Sequence, residues 1–265
     1  MDLAGRSAVV AGGAGGLGSA TVRRLASAGV GAVVLDPDLD RAGALAAEVG
    51  PHVVAVAGDS NDDDAVAAAI TAAQRLGVFS IAVSATGVVI PSGRLVDRDG
   101  TVLGKDVLLA NLDLHVVGPF NLARLAAAAF AGNEPDPDRQ RGVIVQTASI
   151  SAFDGQVTMV PYAAAKGAVV SMVLPMARDL APIGVRVCAI APGAVLTPRV
   201  ASPVVQDMLR QDVVFPRRLG HPEEYALLAE AIVRNPYLNG EVIRLDGATR
   251  LSSEMTRPSR GGTDT

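Results

Sequence analysis

Ser149, Tyr162 and Lys166 are the residues of this chain whose types and spacing could do chemistry together. Tyr162 and Lys166 are four apart, so on a helix they share a face. An ammonium beside a phenol favours the phenolate and draws its pKa down from about 10. Ser149 adds a hydroxyl that can hold an oxygen atom in place. Together they make a general acid/base site for an alcohol or a ketone, a small-molecule substrate. Only two of the 23 basic residues are lysines, Lys105 and Lys166, so a lysine one helical turn after a tyrosine stands out from the composition.

The elements that must position this set can be read on either side of it. Val143, Ile144 and Val145 suit a buried parallel strand. Thr147, Ser149 and Ser151 are two apart and would point the same way in extended chain. A loop with Gly155 follows, then a helix that carries Tyr162 and Lys166 and runs to Ala181, with Pro175 expected to bend it. Upstream, strands are predicted at Arg6–Ala11, Ala32–Leu35 (ending at Asp36), His52–Val56 and Val78–Ala85. Helices are predicted from the glycine cluster to Ala28, over Arg41–Val49 and over 64–75, the last capped within Ser60–Asp63. Val88 to Lys105, with Pro91 and three glycines, is an irregular connection of a length that usually has a function. One long helix spans 106–131, and the proline-broken stretch 133–141 is a surface excursion. Downstream lie a strand at Val185–Ile190, a turn at Ala191-Pro192-Gly193, a helix over Glu223–Arg234 and a last strand at Glu241–Leu245. Such alternation argues for an α/β, doubly wound parallel sheet in a single domain over 1–250. Residues 251–265 read as a frayed polar tail.

Composition narrows the classes. At 265 residues the chain is long enough for one large α/β domain. Hydrophobic content is 49%, but no apolar run is both long and uninterrupted enough to span a bilayer, so no membrane is expected. The first strand begins by Arg6, which leaves no room for a signal peptide and sets a cytoplasmic expectation. A formal charge of −4 with no basic patch gives no hint of nucleic acid. The single cysteine, Cys188, falls in a predicted buried strand and reads as an inert core thiol. No metal is invoked.

Gly12, Gly16 and Gly18 lie between a strand and a helix, with Leu17 among them. Glycine permits a tight turn and close approach of phosphate to backbone, and a helix N-terminus favours negative charge. A flexible turn would show the same glycines; the strand-to-helix position favours a dinucleotide. Asp36 ends the second strand, where a carboxylate can accept hydrogen bonds from the ribose hydroxyls of NAD and would repel a 2′-phosphate. Pro37 and Asp38 supply no compensating arginine, so NAD is expected over NADP. Asp59 and Ser60 are a plausible adenine contact, or equally a helix cap.

With the glycines at 12, 16 and 18 and with Ser149, Tyr162 and Lys166, the chain resembles the short-chain dehydrogenase/reductase family over about residues 5–250. The spacing of thirteen from Ser149 to Tyr162 is the family's usual one. Stretches of the second half, among them GNEPD, QRGVIVQTAS, AFDGQV and ARDLAPIGVRV, are similar to its branch of 3-hydroxyacyl-CoA dehydrogenases. The resemblance implies a Rossmann-type, seven-stranded subunit flanked by helices on both faces, a homotetramer, and reversible oxidation of a 3-hydroxyacyl-CoA to the 3-ketoacyl-CoA by hydride transfer. It implies that Ser149 holds the substrate oxygen, Tyr162 moves the proton, and Lys166 binds the nicotinamide ribose and lowers the tyrosine pKa. Gly87, Pro192, Gly193, Val195 and Thr197 would border the cofactor, and 88–105 would help form the acyl-CoA pocket. Three positions depart from the pattern: Ala11 stands for a threonine, Ser84-Ala85-Thr86-Gly87 for Asn-Asn-Ala-Gly, and His115 for the active-site asparagine. Asn111, one turn upstream, is not that asparagine. A histidine could hold the water of a proton relay, but it is bulkier and can titrate near neutral pH. The outcome is either a slower relay or a changed proton path. Another secondary alcohol, such as a hydroxysteroid, is the alternative substrate, and a catalytically weakened NAD-binding or scaffold protein is the alternative class.

Overall fold

Short runs of β-branched and small apolar residues build a sheet whose central strands are buried on both faces, as a parallel sheet between helices requires. The computed structural model describes residues 1–90 and 92–253; Pro91 and the tail from 254 on lie outside the described residues. Among the described residues there are seven strands: β1 (Arg6–Ala11), β2 (Gly31–Asp36), β3 (Val53–Ala57), β4 (Val78–Ser84), β5 (Gly142–Thr147), β6 (Val185–Pro192) and β7 (Val242–Leu245). Their order is β3-β2-β1-β4-β5-β6-β7, and every neighbouring pair is parallel. Side chains of β1 alternate between two cores, Ala8 and Val10 in one and Val9 and Ala11 in the other.

Each core is covered by helices. On one face lie α1 (Gly16–Ser27), α2 (Leu39–Val49) and α8 (Pro222–Arg234), contributing Val22, Leu25, Leu45, Tyr225 and Ile232. On the other lie α3 (Asp63–Leu76), α5 (Gly118–Ala131) and α6 (Val160–Leu180), contributing Val66, Ile70, Leu122, Phe130 and Val173. The two remaining helices are α4 (Lys105–Leu112), which packs on α6, and the short α7 (Pro203–Arg210). The expected doubly wound sheet is therefore present, and the chain order reverses between β1 and β4. In such a sheet the crevice at the strands' carboxyl ends, beside that reversal, is where ligands bind.

The structure revises several expectations. The long helix over 106–131 is two helices joined by a π turn, Asp113–Val117, in which the Gly118 N–H reaches back to the Asp113 carbonyl. α6 runs through Pro175 as one helix. Ala191 and Pro192 belong to β6 rather than to a turn; a proline can end a strand because the donor it lacks falls past the last ladder bond. α7 was not expected: none of its residues is buried, so no core-facing pattern announces it. The start of the polar tail is tied down, with Gln156 Nε2 donating to the Ser252 carbonyl at 3.0 Å and Val157 N–H to that of Ser253 at 2.9 Å. Two helical stretches, Lys105–Ala131 and Val160–Ile183, are long and apolar enough to cross a membrane by length and composition. Both lie against the sheet here, and core helices of this length pass the same test. Cys188 is fully buried in β6, and burial pushes its thiol up, as expected of a core residue.

Candidate active site

The carboxyl ends of β1, β2, β4, β5 and β6 open into one cleft of about 670 Å³. Gly12, Gly16, Leu17 and Asp36 line one end. Ser149, Tyr162 and Lys166 line the other, with Gly87, Pro192, Gly193, Val195 and Thr197 between and around them. Asp59 and Ser60 border it at the β3 end. Gly18 and His115 do not line it: Gly18 is packed under the glycine turn and His115 lies behind Tyr162.

The glycine turn is a cradle that side chains would fill. Gly12 has φ +68°, and a Cβ there would lie 3.0 Å from the Thr86 nitrogen. A Cβ on Gly18 would lie 2.1 Å from the Gly12 carbonyl oxygen, which no local shift can relieve. α1 starts at Gly16 after Gly15, which offers no side-chain cap, so its first N–H groups are left for a ligand. These features fit the pyrophosphate of a dinucleotide, an anion held by glycine backbone at a helix N-terminus. Asp36 supports the turn from β2: its Oδ2 accepts from Ala14 N–H at 3.0 Å and its Oδ1 from Asp38 N–H at 3.1 Å. At Ser84-Ala85-Thr86-Gly87 the Ser84 and Thr86 hydroxyls bond each other at 3.2 Å. Asp59 makes its own turn, accepting from Asn61 N–H at 2.9 Å, while Asp62 caps α3. The cleft also takes in Arg41, which no sequence pattern had marked because it sits beyond Pro37 and Asp38, in the first turn of α2.

At the other end the predicted set is assembled. Strand β5 stops at Thr147, and Ser149 caps a single 3₁₀ turn, Ile150–Ala152, its Oγ accepting from Ser151 N–H at 3.1 Å. Ser149 itself keeps extended backbone, φ −161° and ψ 155°. Thr147 does not share its direction: its hydroxyl turns to the Ser84 carbonyl and to Tyr225, whose OH lies at 2.6 Å under α8. The Thr147 carbonyl remains at the cleft and accepts from Lys166 Nζ at 2.8 Å. Lys166 Nζ lies 6.0 Å from the centre of the Tyr162 ring.

The expected electrostatics are reversed by burial. Lys166 is 1% exposed, and desolvation alone brings its ammonium down to about 7. Burial pushes the Tyr162 phenol above its usual value of 10.0, with Ser149 pulling weakly the other way. The Tyr162 phenol is thus raised by its burial, with no lowering from the lysine.

His115 occupies the π turn, fully buried, with its ring edge-on to Tyr162 at 5.2 Å and 84°. Its Nε2 bonds the Val88 carbonyl at 2.9 Å, which makes Nε2 the protonated nitrogen and Nδ1 an acceptor. Burial, followed by repulsion from Lys166, brings its pKa to about 3. The expectation that it titrates near neutral pH is therefore overturned: the ring is neutral at any working pH. Nδ1 of His115 and Oδ1 of Asn111 are both buried and lack a hydrogen-bond partner among the described residues. These two bare acceptors lie one helical turn apart.

Residues 6–207 match the family described as short chain dehydrogenase. The chain belongs to the short-chain dehydrogenase family. It is 44% identical over 253 residues to human 3-hydroxyacyl-CoA dehydrogenase type-2, covering 94% of this chain and 97% of that protein. It superposes on the crystal structure of 3-hydroxyacyl-CoA dehydrogenase type-2 from Mycobacterium avium with a TM-score of 0.91, at 43% identity over 94% and 97% of the two chains. 3-Ketoacyl-(acyl-carrier-protein) reductase from Brucella melitensis, solved with NADH, is similar at a TM-score of 0.81 and 27% identity over 94% of this chain and all of that one. The protein is thus an oxidoreductase of this family, acting on a CH–OH group with a nicotinamide cofactor.

Proposed function

We propose that the enzyme interconverts a 3-hydroxyacyl-CoA and its 3-ketoacyl-CoA, with NAD as the hydride partner. One observation carries the chemistry: Ser149, Tyr162 and Lys166 share one end of a cleft whose other end is the glycine turn and Asp36. The likeness to 3-hydroxyacyl-CoA dehydrogenases over 94% of the chain supports the substrate class, and Asp36 supports NAD. When bound, NAD supplies the hydride acceptor of the oxidative direction. Ser149 orients the substrate oxygen, Tyr162 removes its proton, and Lys166 in its charged form holds the resulting phenolate. His115 is a neutral wedge that fixes the Tyr162 ring and ties the start of the 88–105 segment through Val88. Exposed apolar residues on α4, α5 and α6, Leu109, Phe120, Val160 and Leu174, support a homotetramer.

Reduction of NAD by the purified protein with 3-hydroxyacyl-CoA thioesters of several chain lengths tests this, with a hydroxysteroid as competitor. The expected result is a kcat/KM for at least one thioester that exceeds the steroid's at least tenfold. A higher value for the steroid would sink the substrate assignment. Tight NAD binding without turnover of any alcohol would mark a scaffold instead.

A further inference from the structure

The connection that leads from Ser149 to Tyr162 has little structure of its own. Among the described residues between β5 and α6, the 3₁₀ turn Ile150–Ala152 is its one regular element. Ser149 opens that turn: its carbonyl accepts from Ala152 N–H at 3.0 Å. The Ile150 carbonyl accepts from the N–H groups of Phe153 and Asp154, both at 2.9 Å. The turn closes on Asp154, so whatever holds Asp154 holds the turn that Ser149 opens. The holder is Arg244 on β7. Its Nη2 donates to Asp154 Oδ2 at 2.6 Å, and its Nη1 reaches Oδ1 at 3.4 Å, a forked pair. The guanidinium also lies 5.2 Å from the centre of the Phe153 ring. The Arg244 and Asp154 side chains are 21% and 18% exposed, so water and salt screen this pair less than one on the open surface. Arg244 stands on the sheet, in register with Ala191 of β6 and next to Pro192 at the cleft. Its Nε donates to Asp246 Oδ2 at 2.8 Å, which keeps the guanidinium paired when Asp154 is removed.

We propose that Arg244 and Asp154 are positioning residues for the reaction: their ion pair fixes the turn opened by Ser149 to the sheet, and so sets the Ser149 hydroxyl against the substrate oxygen. This rests on the reading of Ser149 as the group that orients that oxygen. Neither Arg244 nor Asp154 lines the cleft, so both act through Ser149. An orienting group displaced by about 1 Å costs about a hundredfold in rate.

The test is a double-mutant cycle on kcat with saturating NAD and 3-hydroxybutyryl-CoA, or with the hydroxysteroid if that is the better substrate. Asp154→Ala is made alone and in a Ser149→Ala background, the latter assayed at enzyme concentrations that bring its residual turnover into range. The expected result is that Asp154→Ala alone lowers kcat about tenfold or more, but lowers it less than about threefold once Ser149 is already alanine. Arg244→Lys keeps the charge but not the fork, and is expected to lie between wild type and Asp154→Ala. The Kd for NADH, followed by nucleotide fluorescence, stays within about twofold in the Asp154 and Arg244 variants, because the glycine turn and Asp36 are untouched. An equal loss in both backgrounds would reduce the pair to a structural tie and overturn the proposal. So would Asp154→Ala at wild-type rate beside an impaired Ser149→Ala. Ser149→Ala at wild-type rate would instead refute the role of Ser149 on which the proposal rests. Melting temperatures separate a lost contact from a lost fold, and Asp154→Asn, which keeps the shape, replaces Asp154→Ala in the cycle if the alanine variant does not fold.

Discussion

Replacing Lys166 by methionine should make the protein more stable near pH 6 and less active, and the size of the effect follows from the lysine's surroundings. Lys166 is wholly enclosed, and its ammonium titrates at about 7 instead of 10.5. Because the folded pKa lies below the unfolded one, the unfolded chain binds the proton more strongly between pH 7 and 10.5. Stability drawn from this group therefore rises with pH across that window, and below pH 7 the penalty of the buried charge is present in full. A difference of this size corresponds to about 5 kcal/mol. Methionine is nearly isosteric with the lysine stem and removes the charge. It also strands the Thr147 carbonyl, which accepts from Nζ at 2.8 Å; an unpaired buried acceptor costs about 1–3 kcal/mol. The net gain at pH 6 is about 2–4 kcal/mol, or about 5–10 °C in Tm for a chain of this length. At pH 10 the charge penalty has nearly gone while the stranded carbonyl has not, so the order reverses or closes. Thermal unfolding followed by circular dichroism, with both proteins at one concentration and at pH 6 and pH 10, measures the difference and cancels groups common to the two. A variant less stable than wild type at pH 6, or a difference independent of pH, would refute the assignment of a desolvated charge at this position.

Tyr162→Phe should lower kcat by about 10²–10⁴, the range of general acid/base catalysis, while the nucleotide Kd moves by no more than a few-fold, as titration of NADH fluorescence would show. The imidazole of His115 should show no titration between pH 5 and 9 in ¹⁵N NMR, with shifts of the Nε2–H neutral tautomer, since burial brings it to about 3; a midpoint inside that range would contradict its enclosure. Thr147→Val should cost about 1–3 kcal/mol in chemical unfolding, because it strands the Ser84 carbonyl and the buried Tyr225 hydroxyl, whose pKa burial already pushes up to about 12.

Much of this fold is written locally. The strand runs Ser7–Ala11 and Val143–Val145 are β-branched or small throughout, and the structure buries them as such. Ser149, Tyr162 and Lys166 come together because a short strand, one turn and a helix leave the chain little choice. Other features are invisible to local pattern for physical reasons. Thr147 and Ser149 part company because the Thr147 hydroxyl is taken up by the Ser84 carbonyl and Tyr225, while the Ser149 Oγ caps the next turn. The sign of the Tyr162 and Lys166 shifts depends on how completely distant segments exclude water, a quantity that spacing does not contain. α7 buries nothing, so it leaves no hydrophobic phase to detect. Arg41 acts through a side chain that doubles back one turn, reaching a residue 27 positions away.

The π turn at Asp113–Val117 bears on how a single run of helix can serve two partners. A regular helix keeps one hydrophobic phase, and each residue advances it by about 100°. An extra residue in one turn therefore rotates everything after it by about that angle. Ahead of the turn α4 packs on α6, the helix that carries Tyr162; after it α5 packs on α3 and β4. The inserted residue works as a gear between the site and the sheet. Deleting one residue from this turn would restore a straight α-helix at the expense of one of its two contacts, and His115 stands at the point where that choice is made.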